Sequence, residues 1–413
     1  MNMNFEQTWS NKLKWSLPWL VRYPFWRTGE RLRRLTESAG VRHLIFIVAN
    51  HYEPSWCPQR GQLDTLPNQL KKVESWCREA RRTGDAARDH DGVAFQHTNY
   101  FPGEQYAPEL LEQLAELQAD GYGEVEIHWH HGVKAPDNSA NFRAELTDFR
   151  DLLAERHRCL GRFNDGPDTQ PKYSFVHGNF ALANSRGGFA CGVDDEMQIL
   201  QETGCVSDMT LPSFPWPSQV SQINDIYECG HALDQPVPHR SGPSLQVGRQ
   251  PELPVLLTGP LVFDWNRRLN GLPVPRIEDG VLTANCTFNR TRFDLWRNAN
   301  IAVTGRPEWV FVKLYCHGFF PGDEDATVGA TARRFWTEML ELAERGNQFK
   351  IHFASAREAF NIVMAAVDGR HGNPGQYRNY RVRQIMELAA RPASASVSAL
   401  SAAMAASAAA LGI

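Results

Sequence analysis

The chain has 413 residues, 42% of them hydrophobic and 22% charged, a balance typical of a globular protein and not of a fibrous or low-complexity one. With 43 Lys and Arg against 47 Asp and Glu the net charge is −4, so no global basic field draws in nucleic acid, and none is expected as a partner. No apolar run reaches the roughly 18 residues of a spanning helix, and the 8 cysteines form no Cys-x-x-Cys pair, which suits buried thiols in a reducing, cytoplasmic compartment.

Residues 1–40 read as an N-terminal extension. Its stretch "WSLPWLVRYPFWRTGERLRR" is aromatic and basic, fit either to pack against the rest of the chain or to touch a membrane surface. Strand-like runs follow at 43–50, 93–101, 124–130, 172–179, 205–211, 255–263, 309–317 and 349–355. Helical patterns lie between most of them; "APELLEQLAELQADGYG" has apolar spacing near 3.6 and ends in Gly. Strands alternating with helices predict an α/β fold with a parallel sheet, and so many units in one body suit a closed or nearly closed β/α barrel over 41–368. The Pro-, Ser- and Gly-rich region 212–250 reads as a long loop over one end of it. Residues 369–390 read as a C-terminal helical segment, and 391–413 as a low-complexity Ala/Ser tail.

Polar residues gather where strands end, the place where β/α barrels collect catalytic groups. The first strand runs into Asn50-His51-Tyr52-Glu53. The second carries His97 and Asn99, the third ends in His128, His130 and His131, the fourth in His177-Gly178-Asn179, and the seventh carries Lys313 and ends in His317. On the third strand, alternation puts Val125, Ile127 and Trp129 on one face and Glu126, His128 and His130 on the other. Two imidazoles about 7 Å apart on one face can chelate a transition-metal ion. His51 is positioned to complete the set. Glu53 is either a ligand or general base, or a solvated loop carboxylate. His317 is either a proton donor or a satisfied buried histidine. Lys313 is expected to pair with a carboxylate such as Glu126, and Asp194 and Asp195 to cap the helix they precede.

These motifs, in this order, resemble the polysaccharide deacetylase superfamily (NodB-homology, carbohydrate esterase family 4) over about residues 41–365. "NHYEP" stands where the family has its first Asp-Asp motif, "EIHWHH" at its metal-binding His motif, "VHGNFALANS" near its third and "VKLYCHG" near its last; "TNYFPGEQY" and "HFASAREAFNIV" resemble its second strand and closing segment. The likeness is to a divergent branch found among bacterial surface-polysaccharide proteins. It implies a distorted (β/α)7-type barrel, a divalent metal (zinc, or cobalt, nickel or manganese), and hydrolysis of N- or O-acetyl groups on a polysaccharide or its sugar precursor. Carried onto this chain, the metal ligands are His51, His128 and His130. The catalytic residues are Glu53, His317 and His177, and the substrate-binding residues Asn50, Asn179, Trp129 and Arg186. The chain departs from the family in having Asn50 and His51 at the Asp-Asp positions, which leaves Glu53 as the base. Its motif histidines are also more closely spaced. Two other functions stay open: an inactive, carbohydrate-binding relative, and a glycoside hydrolase using carboxylates such as Glu53 and Asp264.

Overall fold

The computed structural model describes residues 8–36, 40–57, 63–266, 268–346 and 348–390; the tail expected over 391–413 lies outside the described residues. Its centre is β1 (Arg42–His51), buried from Leu44 onward. A strand covered on both faces needs an unbroken apolar run, and "LIFIVA" provides it. Leu44, Phe46 and Val48 meet an outer layer that includes Phe293 of α6 (Arg290–Ala299) and Trp336 of α7 (Ala330–Gly346). Ile45, Ile47 and Ala49 face inward with Tyr100, Val176 and Phe311. By the same alternation His51 ends the inward row.

Around β1 lies a ten-stranded sheet. Its main strands are β2 (His97–Pro102), β3 (Gly123–Trp129), β4 (Tyr173–His177), β5 (Cys205–Asp208), β6 (Val255–Leu257), β7 (Trp309–Cys316) and β8 (Phe349–Phe353). The order is Val281–Leu282, β7, β1, β2, β3, β4, β5, β6, Ile226–Tyr227, and every pairing is parallel except the last. One edge of β1 is shared: Arg42–Phe46 pairs with β8, and Ala49–His51 with β2. The ladder of described residues runs open from end to end. It is curled enough that the Lys313 ammonium on β7 donates to the Leu211 carbonyl just beyond β5, at 3.0 Å. This replaces the expected pairing of Lys313 with Glu126, whose carboxylate accepts the Ser174 N–H at 2.7 Å.

Several expected boundaries move. The second strand starts at His97, the fifth ends at Asp208, and 255–263 divides into β6 and Val262–Asp264. The 212–250 region contributes Ile226–Tyr227 to the sheet. Within 369–390 only Ile385–Ala390 is α-helical, and Val382–Gln384 pairs with Gly161–Phe163. Asp195 precedes α5 (Glu196–Thr203) without capping it; its carboxylate takes the Ser139 hydroxyl instead.

The extension forms α1 (Trp9–Thr36). Trp19 and Tyr23 dock on Phe214 and Phe263, and the Tyr23 hydroxyl accepts the Phe263 N–H at 3.2 Å. Leu13, Leu17, Val21, Phe25 and Leu32 stay exposed. No helix among the described residues is long and apolar enough to cross a membrane.

His97 opens β2 inside the core, wedged between Trp76 and Phe95 with both ring centroids at 5.1 Å. Burial pushes its pKa down to about 3. A histidine neutral in the fold and free to charge when unfolded stabilises fully above its unfolded pKa, about 6.5; that contribution is lost as pH falls towards 3. The acid limb of an unfolding-free-energy profile should therefore flatten between about pH 6.5 and 3 in His97→Met. An unchanged slope would remove His97 from the acid sensitivity of the fold.

Candidate metal centre

The carboxyl ends of β1, β3 and β7 converge on one carboxylate. Glu53, two residues past β1, places Oε1 3.1 Å from His130 Nε2 and 3.6 Å from His128 Nε2; its Oε2 lies 3.9 Å from His317 Nε2. The His51 ring is in edge contact with His128, centroids 4.8 Å apart, and lies 4.5 Å from His317. Among the described residues, Glu53, His128 and His130 form one of three groups of donors whose ligand atoms all lie within 4.8 Å of one another.

Two of the rings, His128 and His130, are held by their far nitrogens. His128 Nδ1 is 2.8 Å from the Val176 carbonyl, so it carries the proton and Nε2 presents a lone pair. That Nε2 is buried without a hydrogen-bond partner and faces a carboxylate oxygen. Two acceptors turned toward each other in a buried place call for a cation between them. His130 Nδ1 is bonded to Glu104 Oε1 at 2.7 Å, the carboxylate–histidine arrangement that orients metal-binding imidazoles. The residues therefore fit a divalent ion: imidazole and carboxylate donors, oriented rings and an orphaned lone pair.

Within the protein's own charges, His130 carries the balancing proton, which an ion would displace. Burial alone would lower the His130 pKa, but hydrogen bonds to Glu104 and Glu53 overcome it and hold it at about 10. Burial alone would raise Glu53, but the protonated His130 beside it holds it well below the usual carboxylate range. His51 is pushed well down by burial, then by His317 and His128. His317 is also lowered, chiefly by burial, while Glu53 opposes the shift.

Aromatic rings border the cluster. The His317 ring stacks on Phe320 at 4.8 Å, Phe320 meets Trp56 at 5.0 Å, and Phe180 lies 5.9 Å from His51; all three aromatic side chains are partly exposed. Gly178 lets the exit of β4 pass close by, since a Cβ there would fall 2.3 Å from the His130 ring.

The expected residues divide. Glu53, His51, His128, His130 and His317 come together. Asn179 is exposed at the loop beside Phe180, and its carbonyl accepts Arg186 Nη1 at 3.2 Å. Arg186 lies over Phe189 and Trp216, 4.5 and 5.3 Å from their centroids. Three assignments are corrected. Trp129 cannot meet a substrate from β3: it is buried on the helix-covered face against Phe149 and Gly103, the face its own alternation dictates. Asn50 is fully buried; its amide donates to Asn99 Oδ1 and its oxygen accepts the Gly318 N–H, tying β1 to β2 and β7. His177 turns away into a second buried group with His131. Glu104 was not expected. It sits in the 3-10 turn Gly103–Gln105 just beyond β2, and an acidic residue at a strand-end turn was the available signal. In Glu104→Gln the ring of His130 loses its anionic anchor, and affinity for a divalent ion should fall about 10- to 100-fold by titration calorimetry.

Fold and site together define an α/β protein with a histidine-rich, carboxylate-bearing centre at the carboxyl ends of a mostly parallel sheet. No family model matches the chain, and no curated protein matches it. Among solved structures it is similar to one described as a polysaccharide deacetylase from Mycobacterium smegmatis, with 14% identity, 80% of this chain and 93% of that chain covered, and a TM-score of 0.40. It is also similar to a GH57-type branching enzyme from Pyrococcus horikoshii, with 11% identity, 76% and 69% covered, and a TM-score of 0.33. Both likenesses are distant.

Proposed function

We propose that the chain is a metal-dependent hydrolase that removes acetyl groups from a carbohydrate, with catalysis in residues 41–368. The observation that carries this reading is the buried, unpartnered His128 Nε2 facing Glu53 beside a carboxylate-anchored His130. His128, His130 and Glu53 would hold the ion, zinc or cobalt, nickel or manganese, with His51 alongside. A bound divalent ion there supplies Lewis-acid polarisation of an acyl oxygen and lowers the pKa of a water. Glu53 is kept ionised by His130 and can accept a proton. His317 faces the other carboxylate oxygen and can carry that proton to a departing hydroxyl or amine. Trp56, Phe320 and Phe180 offer ring faces on which a sugar can stack.

The test is acetate release from N- and O-acetylated amino-sugar oligomers by the full chain, loaded with zinc or cobalt and then stripped with a chelator. Release that disappears on stripping supports the reading. No release across that panel from a metal-loaded, folded protein defeats it. In that case binding of the oligomers alone would favour a non-catalytic carbohydrate binder, and cleavage of glycosidic bonds a glycoside hydrolase. Asp264, considered for the last, lies on the ribbon Val262–Asp264 with Arg276–Glu278 and accepts from Asn266.

Two further elements belong to this reading. The 8 free cysteines suit a reducing cytoplasm. The exposed row Leu13, Leu17, Val21 and Phe25 on α1, flanked by Lys12, Lys14, Arg22 and Arg27, suits peripheral contact with an anionic membrane. Cosedimentation with phosphatidylserine-containing vesicles is expected, and Phe25→Glu should abolish it; equal pelleting of both proteins would end the membrane proposal.

A further inference from the structure

The structure places a second donor group next to the first. His131, the residue after His130, brings Nε2 to 3.0 Å from His177 Nε2. Glu196 Oε1 lies 3.3 Å from His177 Nε2 and 3.5 Å from His131 Nε2, and Cys191 Sγ is 3.4 Å from Glu196 Oε2. All four residues are buried, and their donor atoms lie within 4.8 Å of one another.

Both imidazoles are anchored through the opposite nitrogen. His131 Nδ1 is bonded to Asp137 Oδ2 at 3.0 Å, and His177 Nδ1 to the Gly178 carbonyl at 2.6 Å. With both Nδ1 protons so used, both Nε2 atoms present lone pairs to each other. Two lone pairs at that separation need a cation between them. Glu196 Oε1, on a fully buried side chain, has no hydrogen-bond partner and is aimed at the same point. The loop bearing Cys191 is fastened to the loop after β3. Asp137 N–H donates to the Cys191 carbonyl at 2.8 Å, Ala190 N–H donates to the Gly132 carbonyl at 3.1 Å, and a Cβ on Gly132 would fall 1.9 Å from the Cys191 oxygen.

We propose that His131, His177, Cys191 and Glu196 form a closed structural zinc site, separate from the Glu53 centre. Tetrahedral zinc with bonds of about 2.0–2.1 Å to nitrogen and oxygen sets its ligands about 3.3 Å apart, and the three His–His and His–Glu separations bracket that value. One thiolate and one carboxylate neutralise the ion, so no net charge is buried. Four protein ligands leave no position for water, the mark of a structural rather than a catalytic site. The ion would tie the exits of β3 and β4 to the start of α5 and so set the bearing of His130. The third donor group, Asp89, Asp91 and His352, is already served by the Arg378 guanidinium, 2.8 Å from Asp89 and 3.4 Å from Asp91, and needs no ion.

The test uses the full chain with its zinc replaced by cobalt. A thiolate-to-cobalt charge-transfer band in the near ultraviolet is expected. It should vanish in Cys191→Ser and persist in His128→Ala, while elemental analysis shows about one equivalent of zinc lost in Cys191→Ser or His177→Gln. The wild-type spectrum decides even if a variant fails to fold. No thiolate band in cobalt-loaded wild type, with zinc content unaltered by His177→Gln, would overturn the site and leave a proton shared between the two imidazoles. The result does not depend on acetate release, so the two proposals can fail separately.

Discussion

Glu53→Gln should cut acetate release by about 10²- to 10⁴-fold. The substitution keeps shape and one hydrogen-bonding oxygen but removes the charge around which four histidines are arranged. In the native arrangement burial acts against the Glu53 carboxylate, yet the protonated His130 beside it holds its pKa well below normal. Its acid–base work is therefore that of an anion at neutral pH. The variant can no longer accept a proton, and His130, which owes part of its pKa of about 10 to Glu53, becomes easier to deprotonate. Single-turnover rates at matched metal occupancy separate the roles: a rate lost with the ion still bound marks a base, while a rate restored by excess metal marks a ligand. A variant with wild-type turnover would remove Glu53 from the chemistry.

At the opposite end of the sheet, Arg357→Met should destabilise the protein by about 3–5 kcal/mol in denaturant unfolding. Arg357 makes a two-pronged pair with Glu124, Nε to Oε2 at 3.0 Å and Nη2 to Oε1 at 2.7 Å, with side chains 4% and 5% exposed. Its third nitrogen donates to Asn379 Oδ1 and to the Val382 carbonyl, joining α8 (Ala356–Val367) to the start of β3 and to the C-terminal strand. Removing the cation strands the Glu124 carboxylate in the interior with Gln384 as its remaining side-chain donor, at 2.8 Å. Two charges buried together cost much less than one left alone. The Arg357→Met/Glu124→Leu double variant should therefore recover most of the loss, and the interaction energy from that cycle measures the pair. A single variant losing less than about 1 kcal/mol would show that water reaches Glu124.

Much of the sheet was legible because strands buried on both faces must be written as apolar runs, as in "HLIFIVAN" and "WVFVKLYC". Period-two alternation on β3 also put His128 and His130 on the inward face correctly, and read consistently it places Trp129 outside. Asn50 misled because a polar residue at a strand end serves equally well as a tether. What escaped were residues brought in by loops: Glu104 from a 3-10 turn, and Cys191 and Glu196 from a loop and the first turn of α5. No local pattern links Glu104 to His130, 26 positions later, or Cys191 and Glu196 to His131 and His177, 14 to 65 positions earlier. The extent of barrel closure was hidden for a related reason, since strand tilt and stagger are set by packing across the whole sheet.

The shared edge of β1 bears on how the protein is made. β1 leaves the ribosome long before its partners, since its ladder is completed by strands beginning at Trp309 and Phe349. At ordinary elongation rates that interval is on the order of tens of seconds. Throughout it the run "LIFIVA" has at most a short pairing with β2 at its tip, and the histidine cluster has no His317 to close it. Nascent chains of this protein should therefore depend on holding chaperones, and any fragment ending before Phe353 should aggregate rather than fold to a smaller domain.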